Sequence, residues 1–229
     1  MKSSGMFGGK SGSRDRVRVK ICGITNKDDA LAAIDAGADA LGFNLVPRSS
    51  RYIDIEKAAA WIDNLPKEIC KVAVVADANW EDACRIGQLR FIDALQLHGN
   101  ESPEFCRRLA DAGIPFAKAV PVTGSKSLAD LPDYFTDTMI LDSSARGTFG
   151  GTGKPFPWKF APEFVRHHPR ISVILAGGLN PENVAEAVKV VRPRGVDVTT
   201  GVEAVPGRKD HLLIRAFVQA ARRPPGVGA

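Results

Sequence analysis

Two residues of this chain have the type and setting for acid–base chemistry: Cys22, in VRVKICGIT (residues 17–25), and Asp142, in TMILD (residues 138–142). Each ends a short apolar run. Val17, Val19 and Ile21 share one parity and Arg18, Lys20 and Cys22 the other, because strand side chains alternate between faces. In a parallel sheet closed into a barrel, the apolar set would lie against the surrounding helices. The Arg18, Lys20 and Cys22 set would point inward, with Cys22 at the carboxyl end of its strand, where such folds keep their chemistry. A thiol near two cations is one whose thiolate form is favoured. Asp142 has the parity of Ile140, so it too can face the barrel, and across the mouth from Cys22 it is an acid partner for a thiolate base. An aspartate that merely caps the next turn is the competing reading.

Around this pair stand residues suited to holding a charged ligand. Asp197 is an acid inside the apolar run VDV, where an unpartnered charge is expensive, so it is expected to face the mouth and bind something polar. Arg51 lies in the loop PRSSRY (47–52), where its guanidinium could grip a carboxylate; Arg48 competes for that role, and a solvated loop charge is the alternative for both. His98, in LQLHG, is a ligand contact or a rim hydrogen-bonding group. Gly177 and Gly178 in AGGLNPEN (176–183), and Thr200 and Gly201 in TTGVE (199–203), open the loops after the seventh and eighth expected strands. Those loops are the recurrent phosphate site of a (β/α)₈ barrel, and glycine lets backbone N–H groups approach a phosphate. Plain tight turns are the other reading. GTFGGTGK (147–154) is not a nucleotide loop, since Pro155 follows Lys154 and Thr148 stands where a glycine should be. It reads as part of a Gly-rich active-site lid over residues 143–157.

The elements that must position these residues alternate along the chain. Strands are expected near 17–22, 39–44, 71–76, 93–97, 115–120, 138–141, 171–176 and 196–199, with helices between them. Residues 26–37 carry a full helix signature, with an Asn or Thr cap, acids in the first turn and a closing Gly. A helix is expected from Pro181 to Val191 with Pro at its first position. Eight strand–helix units at a pitch of about 25 residues predict a single-domain α/β (β/α)₈ TIM barrel over residues 17–221. An open doubly wound sheet is the structural alternative. Residues 1–16 read as a disordered basic tail and 222–229 as a flexible one.

Composition sets the class. With 44% hydrophobic and 25% charged residues, the chain is an ordinary globular protein and not a membrane one. Lys2, Lys10, Arg14 and Arg16 against Asp15, with Arg222 and Arg223, account for the whole formal charge of +5. The body is therefore neutral, and a nucleic-acid partner is not expected. Cys22, Cys70, Cys84 and Cys106 show no metal-binding spacing and suit a reducing cytoplasm; the last three read as buried structural thiols. No metal and no cofactor are expected.

Together KICGIT, AGADALGF, PRSSRY, LQLHG, GGTGKPFPW, AGGLNPENV and GVEAVPGRKD, spread from Val17 to about Gln219, resemble the phosphoribosylanthranilate isomerase family of tryptophan biosynthesis. The resemblance implies a cofactor-free Amadori rearrangement of N-(5-phosphoribosyl)anthranilate to the 1-deoxyribulose 5-phosphate product. It implies Cys22 as general base, Asp142 as general acid, Arg51 as the carboxylate anchor, and Gly177, Gly178, Thr200 and Gly201 as the phosphate loops. The expected partner is a small phosphorylated aminosugar, and the expected state a monomer or homodimer. The chain departs from the family pattern at Asn44, Ala76 and Asp77, expected near the mouth. These leave open an isomerase of a related aminoaldose phosphate, in which Asn44 and Asp77 would contact a more polar substrate. A non-catalytic ribose-phosphate-binding barrel is the third reading.

Overall fold

The computed structural model describes residues 16–122, 124–129, 131–142 and 160–223. The expected lid at 143–157 and most of both basic tails lie outside them. Eight parallel strands, β1 (Arg18–Cys22), β2 (Ala40–Asn44), β3 (Cys70–Val75), β4 (Ala94–Leu97), β5 (Phe116–Pro121), β6 (Thr138–Asp142), β7 (Ser172–Ala176) and β8 (Gly195–Val198), pair in chain order. β8 returns to β1 and closes a barrel, as the eight-unit pattern predicts. Helices α1 (Lys27–Asp35), α2 (Ile55–Ile62), α3 (Trp80–Gly87), α4 (Pro103–Asp111), α5 (Ser125–Ala129), α6 (Ala161–His167), α7 (Val184–Val191) and α8 (His211–Ala221) alternate with them.

Strand alternation sorts the side chains into two shells. Val19, Ile21, Leu41, Phe43, Ala73, Leu95, Leu141, Leu175 and Val196 point outward and pack beneath the helices. Removing each larger aliphatic side chain among them from water contributes about 1.5–3 kcal/mol, which makes this outer shell the main source of stability. Ala40, Val72, Ala117, Ala119, Ile140, Ile174 and Ala176 point inward and fill the barrel. The inward set is small and apolar, so the polar groups above it stand out against an oily floor.

Short polar residues start the helices and thereby end the loops that carry the site. Asn26, Asp54, Asn79, Ser102 and Asp210 each accept hydrogen bonds from backbone N–H groups of the first turn. The helix after β7 begins later than Pro181, at Val184. The Asn180 carboxamide accepts from the N–H groups of Glu182 and Asn183, so residues 181–183 form a capped turn that leads into the helix. A second difference is a small antiparallel hairpin after β8, formed by β9 (Glu203–Val205) and β10 (Arg208–Lys209), where only a connection is expected from the sequence. Gly207 turns it with a φ of +83°.

Arg18 does not join the inward cluster. It donates to Asp39 at 3.0 Å, at the amino-terminal end of the barrel, where Arg16 and Arg222 pair with the same carboxylate. Being the first residue of β1, it lies about 13 Å along the strand from Cys22. One cation beside the thiol, not two, comes from this strand.

Candidate active site

At the carboxyl end of the barrel a cavity is lined by Cys22, Arg51, His98, Asp142, Gly177, Gly178, Asp197 and Thr200, with Asn44, Ser49, Val74 and Gln96 filling the wall. Eight of the nine residues expected to form the site thus converge. Gly201 does not line it. A Cβ there would sit 2.0 Å from the Leu179 carbonyl oxygen, so its task is the close approach of the β7 and β8 loops to each other.

β1 and β8 build the floor. Their register places Lys20 beside Asp197, and the β1–β2 register places Cys22 beside Gly42. Lys20 is fully buried, and its Nζ donates to both carboxylate oxygens of Asp197 at 3.0 Å. Burial alone would lower the Lys20 pKa; the Asp197 carboxylate and the Cys22 sulfur more than reverse this, and it stands above its ordinary value. Asp197 was expected to hold a ligand. It lines the cavity, but its polar partner is this lysine, because parity brings both residues to the barrel axis.

β4 and β6 build the opposite wall. His98 Nε2 lies 3.3 Å from Asp142 Oδ2, and its Nδ1 lies 2.9 Å from Gln96 Nε2. With the Gln96 amide donating, Nδ1 accepts and the neutral ring carries its proton on Nε2, facing Asp142. The reverse amide orientation would bury an unpaired NH₂ group, a worse arrangement than the single unpaired Oε1 that results. His98 is therefore a rim residue that orients the Asp142 carboxyl. Asp142 is only 7% exposed, at the end of a strand whose other residues are buried.

Arg51 reaches the cavity from the β2–α2 loop, while Arg48 is exposed and does not line it. Gly23, with a φ of +74°, lets the Arg51 stem pass over the end of β1; a Cβ there would meet Arg51 Cγ at 3.0 Å. Glu203 holds the guanidinium from its Nε and Nη2 side at 3.1 and 2.7 Å. Lys209 then donates to Glu203 at 3.1 Å and to the Thr199 carbonyl at 3.0 Å. Burial lowers the Lys209 pKa below its ordinary value, with Glu203 pulling the other way. Glu203 and Lys209 were missed as site residues; the Pro206–Gly207 turn between two charged ends is the sequence signal that marks them.

Gly177 and Gly178 have φ values of +84° and +64°, so a side chain is disfavoured at both. They and Thr200 present backbone to the cavity beside the 3₁₀ turn Thr200–Val202. The departures from the family pattern resolve differently. Asn44 lines the cavity, but its Oδ1 accepts from the Val46 N–H. Ala76 instead lines a separate groove with Ala78 and Asp82. Asp77, with a φ of +53°, accepts from the Asn100 N–H and belongs to the β3 and β4 loops. Among the described residues no three His, Cys, Asp or Glu side chains group as a metal ion requires, and no helix is long and apolar enough to cross a membrane.

Comparison with known proteins agrees with this arrangement. Residues 19–220 match the family model described as N-(5'-phosphoribosyl)anthranilate (PRA) isomerase. The N-(5'-phosphoribosyl)anthranilate isomerase of Geobacter sp. (strain M21) is 44% identical over 206 residues, covering 90% of this chain and 98% of that protein. The crystal structure of the Thermotoga maritima phosphoribosyl anthranilate isomerase superposes with a TM-score of 0.79 at 40% identity, covering 90% of this chain and 98% of that one. A further crystal structure of such an isomerase holds reduced 1-(o-carboxyphenylamino)-1-deoxyribulose 5-phosphate; it superposes with a TM-score of 0.78 at 39% identity, over 90% of this chain and 98% of that one. This chain belongs to the N-(5'-phosphoribosyl)anthranilate isomerase family, a family of isomerases.

Proposed function

We propose that this protein converts N-(5'-phosphoribosyl)anthranilate to 1-(o-carboxyphenylamino)-1-deoxyribulose 5-phosphate, with Cys22 as general base and Asp142 as general acid. The observation that carries this reading is the convergence of a thiol and a carboxyl on one cavity that also presents a guanidinium and a pair of left-handed glycines. Those groups fit a ligand with a carboxylate at one end and a phosphate at the other. Glu203 leaves the Nη1–Nη2 end of Arg51 for the anthranilate carboxylate. The backbone at Gly177, Gly178 and Thr200 receives the phosphate.

Asp142, in its protonated form and oriented through Oδ2 by His98, gives its proton to the furanose ring oxygen. The C1–O bond breaks and the nitrogen lone pair forms the protonated Schiff base. The Cys22 thiolate then takes the C2 proton; the C2–H electrons form the C1–C2 double bond and neutralise the nitrogen. The enolamine that results becomes the ketone by losing its hydroxyl proton and gaining one at C1. Atoms and electrons balance within the substrate, as an isomerisation requires.

Loss of anthranilate fluorescence when purified protein meets freshly generated substrate is the assay. Rapid turnover is expected, falling by about 10²–10⁴ in Cys22→Ser and in Asp142→Asn. A folded protein that leaves the fluorescence unchanged would refute the substrate, and full activity in either variant would refute that residue's role.

A further inference from the structure

The proposed chemistry uses Cys22 and Asp142 but gives no task to the charged pair beneath the thiol. Lys20 is fully buried in a barrel whose floor is otherwise Ala40, Val72, Ala117, Ile140 and Ile174. A lysine is not needed to fill that space. Removing an ammonium and a carboxylate from water is costly, and an apolar pair of similar volume often serves stability as well or better. The position of the ammonium is more telling than its burial. Its Nζ donates to both carboxylate oxygens of Asp197, and the sulfur of Cys22 stands beside it above Gly42.

Gly42 makes this contact possible. It sits beside Cys22 in the β1–β2 register, and a Cβ on it would lie 2.7 Å from Cys22 Sγ and 2.9 Å from Lys20 Nζ. Sulfur and ammonium therefore meet in the space that any side chain at position 42 would fill. Other cations are near. Arg51 and Lys209 both act on Cys22 electrostatically, but the two share Glu203 as counter-ion and hydrogen-bond partner. Lys20 instead shares the gap above Gly42 with the sulfur and has Asp197 as its own counter-ion. His98 and Asp142 come from the opposite wall and pair with each other.

We propose that Lys20, clamped by Asp197 and admitted by Gly42, is the positioning residue for the Cys22 base, an internal counter-ion that holds the sulfur as a thiolate aimed into the cavity. The inference rests on the reading of Cys22 as base. No proton passes to Lys20 in the cycle: the C2 proton moves to sulfur, and the ammonium stays charged against Asp197 before and after.

The test compares the parent with Lys20→Met/Asp197→Asn, which removes both charges together and so avoids leaving one buried alone. Two quantities are read in protein shown to be folded by its circular dichroism and melting transition. They are kcat against KM, and the rate at which iodoacetamide alkylates Cys22 at neutral pH, with Cys22→Ser as the blank for the other thiols. The expected result is a kcat lower by about a hundredfold with KM little changed, and an alkylation rate lower by about tenfold. Parent-like values of both would overturn the proposal. So would a lower kcat with an unchanged alkylation rate, which assigns the pair a structural role. If the double variant does not fold, Gly42→Ala decides by the same two readouts, since its Cβ displaces sulfur and ammonium without changing any charge. Cys22→Ser separates the two readings. Activity surviving in it refutes Cys22 as base, whereas its inactivity beside parent-like pair variants refutes only the role of Lys20.

Discussion

Two of the buried lysine–carboxylate pairs among the described residues do different things. Lys20 and Asp197 meet on the barrel axis under the cavity. Lys118, on the outward face of β5, meets Glu101 at 2.9 Å beneath the loop between β4 and α4. Both lysines are at most 3% exposed. The difference lies in what completes each ammonium. Lys118 is saturated by backbone, donating to the carbonyls of Gly99 and Ala119 at 2.8 and 3.0 Å, with the Tyr134 ring 5.7 Å away. Glu101 in turn accepts from the N–H groups of Asp77 and Gly99. Every bond of that network closes a loop. The Lys20 ammonium, bound to Asp197, instead has beside it the sulfur of a residue that lines the cavity. A buried charge pair reads as structural or chemical from its third partner, not from its burial.

The outer pair offers the largest effect that could break this contrast. Lys118→Met would strand the Glu101 carboxylate, which is 2% exposed, and should destabilise the fold by about 3–5 kcal/mol. Urea denaturation measures the loss, and kcat per folded molecule should stay close to that of the parent. A variant as stable as the parent but poorly active would mean that the outer pair serves the site after all.

Much of this was legible in the sequence because strand parity is a strong signal. The apolar positions Val19 and Ile21 fix the inward direction of Cys22, and Ile140 fixes that of Asp142. The caps Asn26 and Asp54 mark where loops end and helices begin. What the sequence hides is partnership across the barrel. Nothing local to Asp197 says that its partner is Lys20, since the two meet only when β8 closes onto β1. Arg18 shares the parity of Cys22, yet Asp39 draws it to the far end. Ala76 and Asp77 sit one and two residues past Val75, where the chain has left the strand and parity no longer predicts direction.

A smaller effect tests the Arg51 clamp on Glu203. Burial would raise the Glu203 carboxyl, but the hydrogen bond from Arg51 and the charges of Lys209 and Arg51 outweigh it and hold it below its ordinary 4.5. A carboxylate depressed in the folded state adds stability above its unfolded value and loses it as pH falls through the folded one. Glu203→Gln should therefore melt lower than the parent at pH 7, by about 1–3 kcal/mol, with the gap closing well below pH 4. Its KM should rise, because Arg51 loses the partner that aims it. A gap that persisted in acid would show that Glu203 acts through packing and not through charge.

The smallest effect compares two thiols on the same inner wall. Cys70 opens β3 and shares its inward parity with Val72, while Cys22 ends β1 at the other end of the barrel. Burial pushes the Cys70 thiol up to about 12, and Asp93 adds to that push while Lys20 and Lys71 pull against it. Lys20 thus reaches both sulfurs electrostatically, but only the Cys22 sulfur shares with it the gap above Gly42. At pH 8 the Cys70 thiolate should amount to on the order of one molecule in ten thousand. Peptide mapping after a short iodoacetamide pulse should accordingly find Cys22 modified and Cys70 intact, and Cys70→Ala should leave kcat unchanged. If Cys70 were labelled as fast as Cys22, nearness to the lysine along the wall would be enough to activate a thiol. The clamp of Asp197 and the gap at Gly42 would then have no special claim on Cys22.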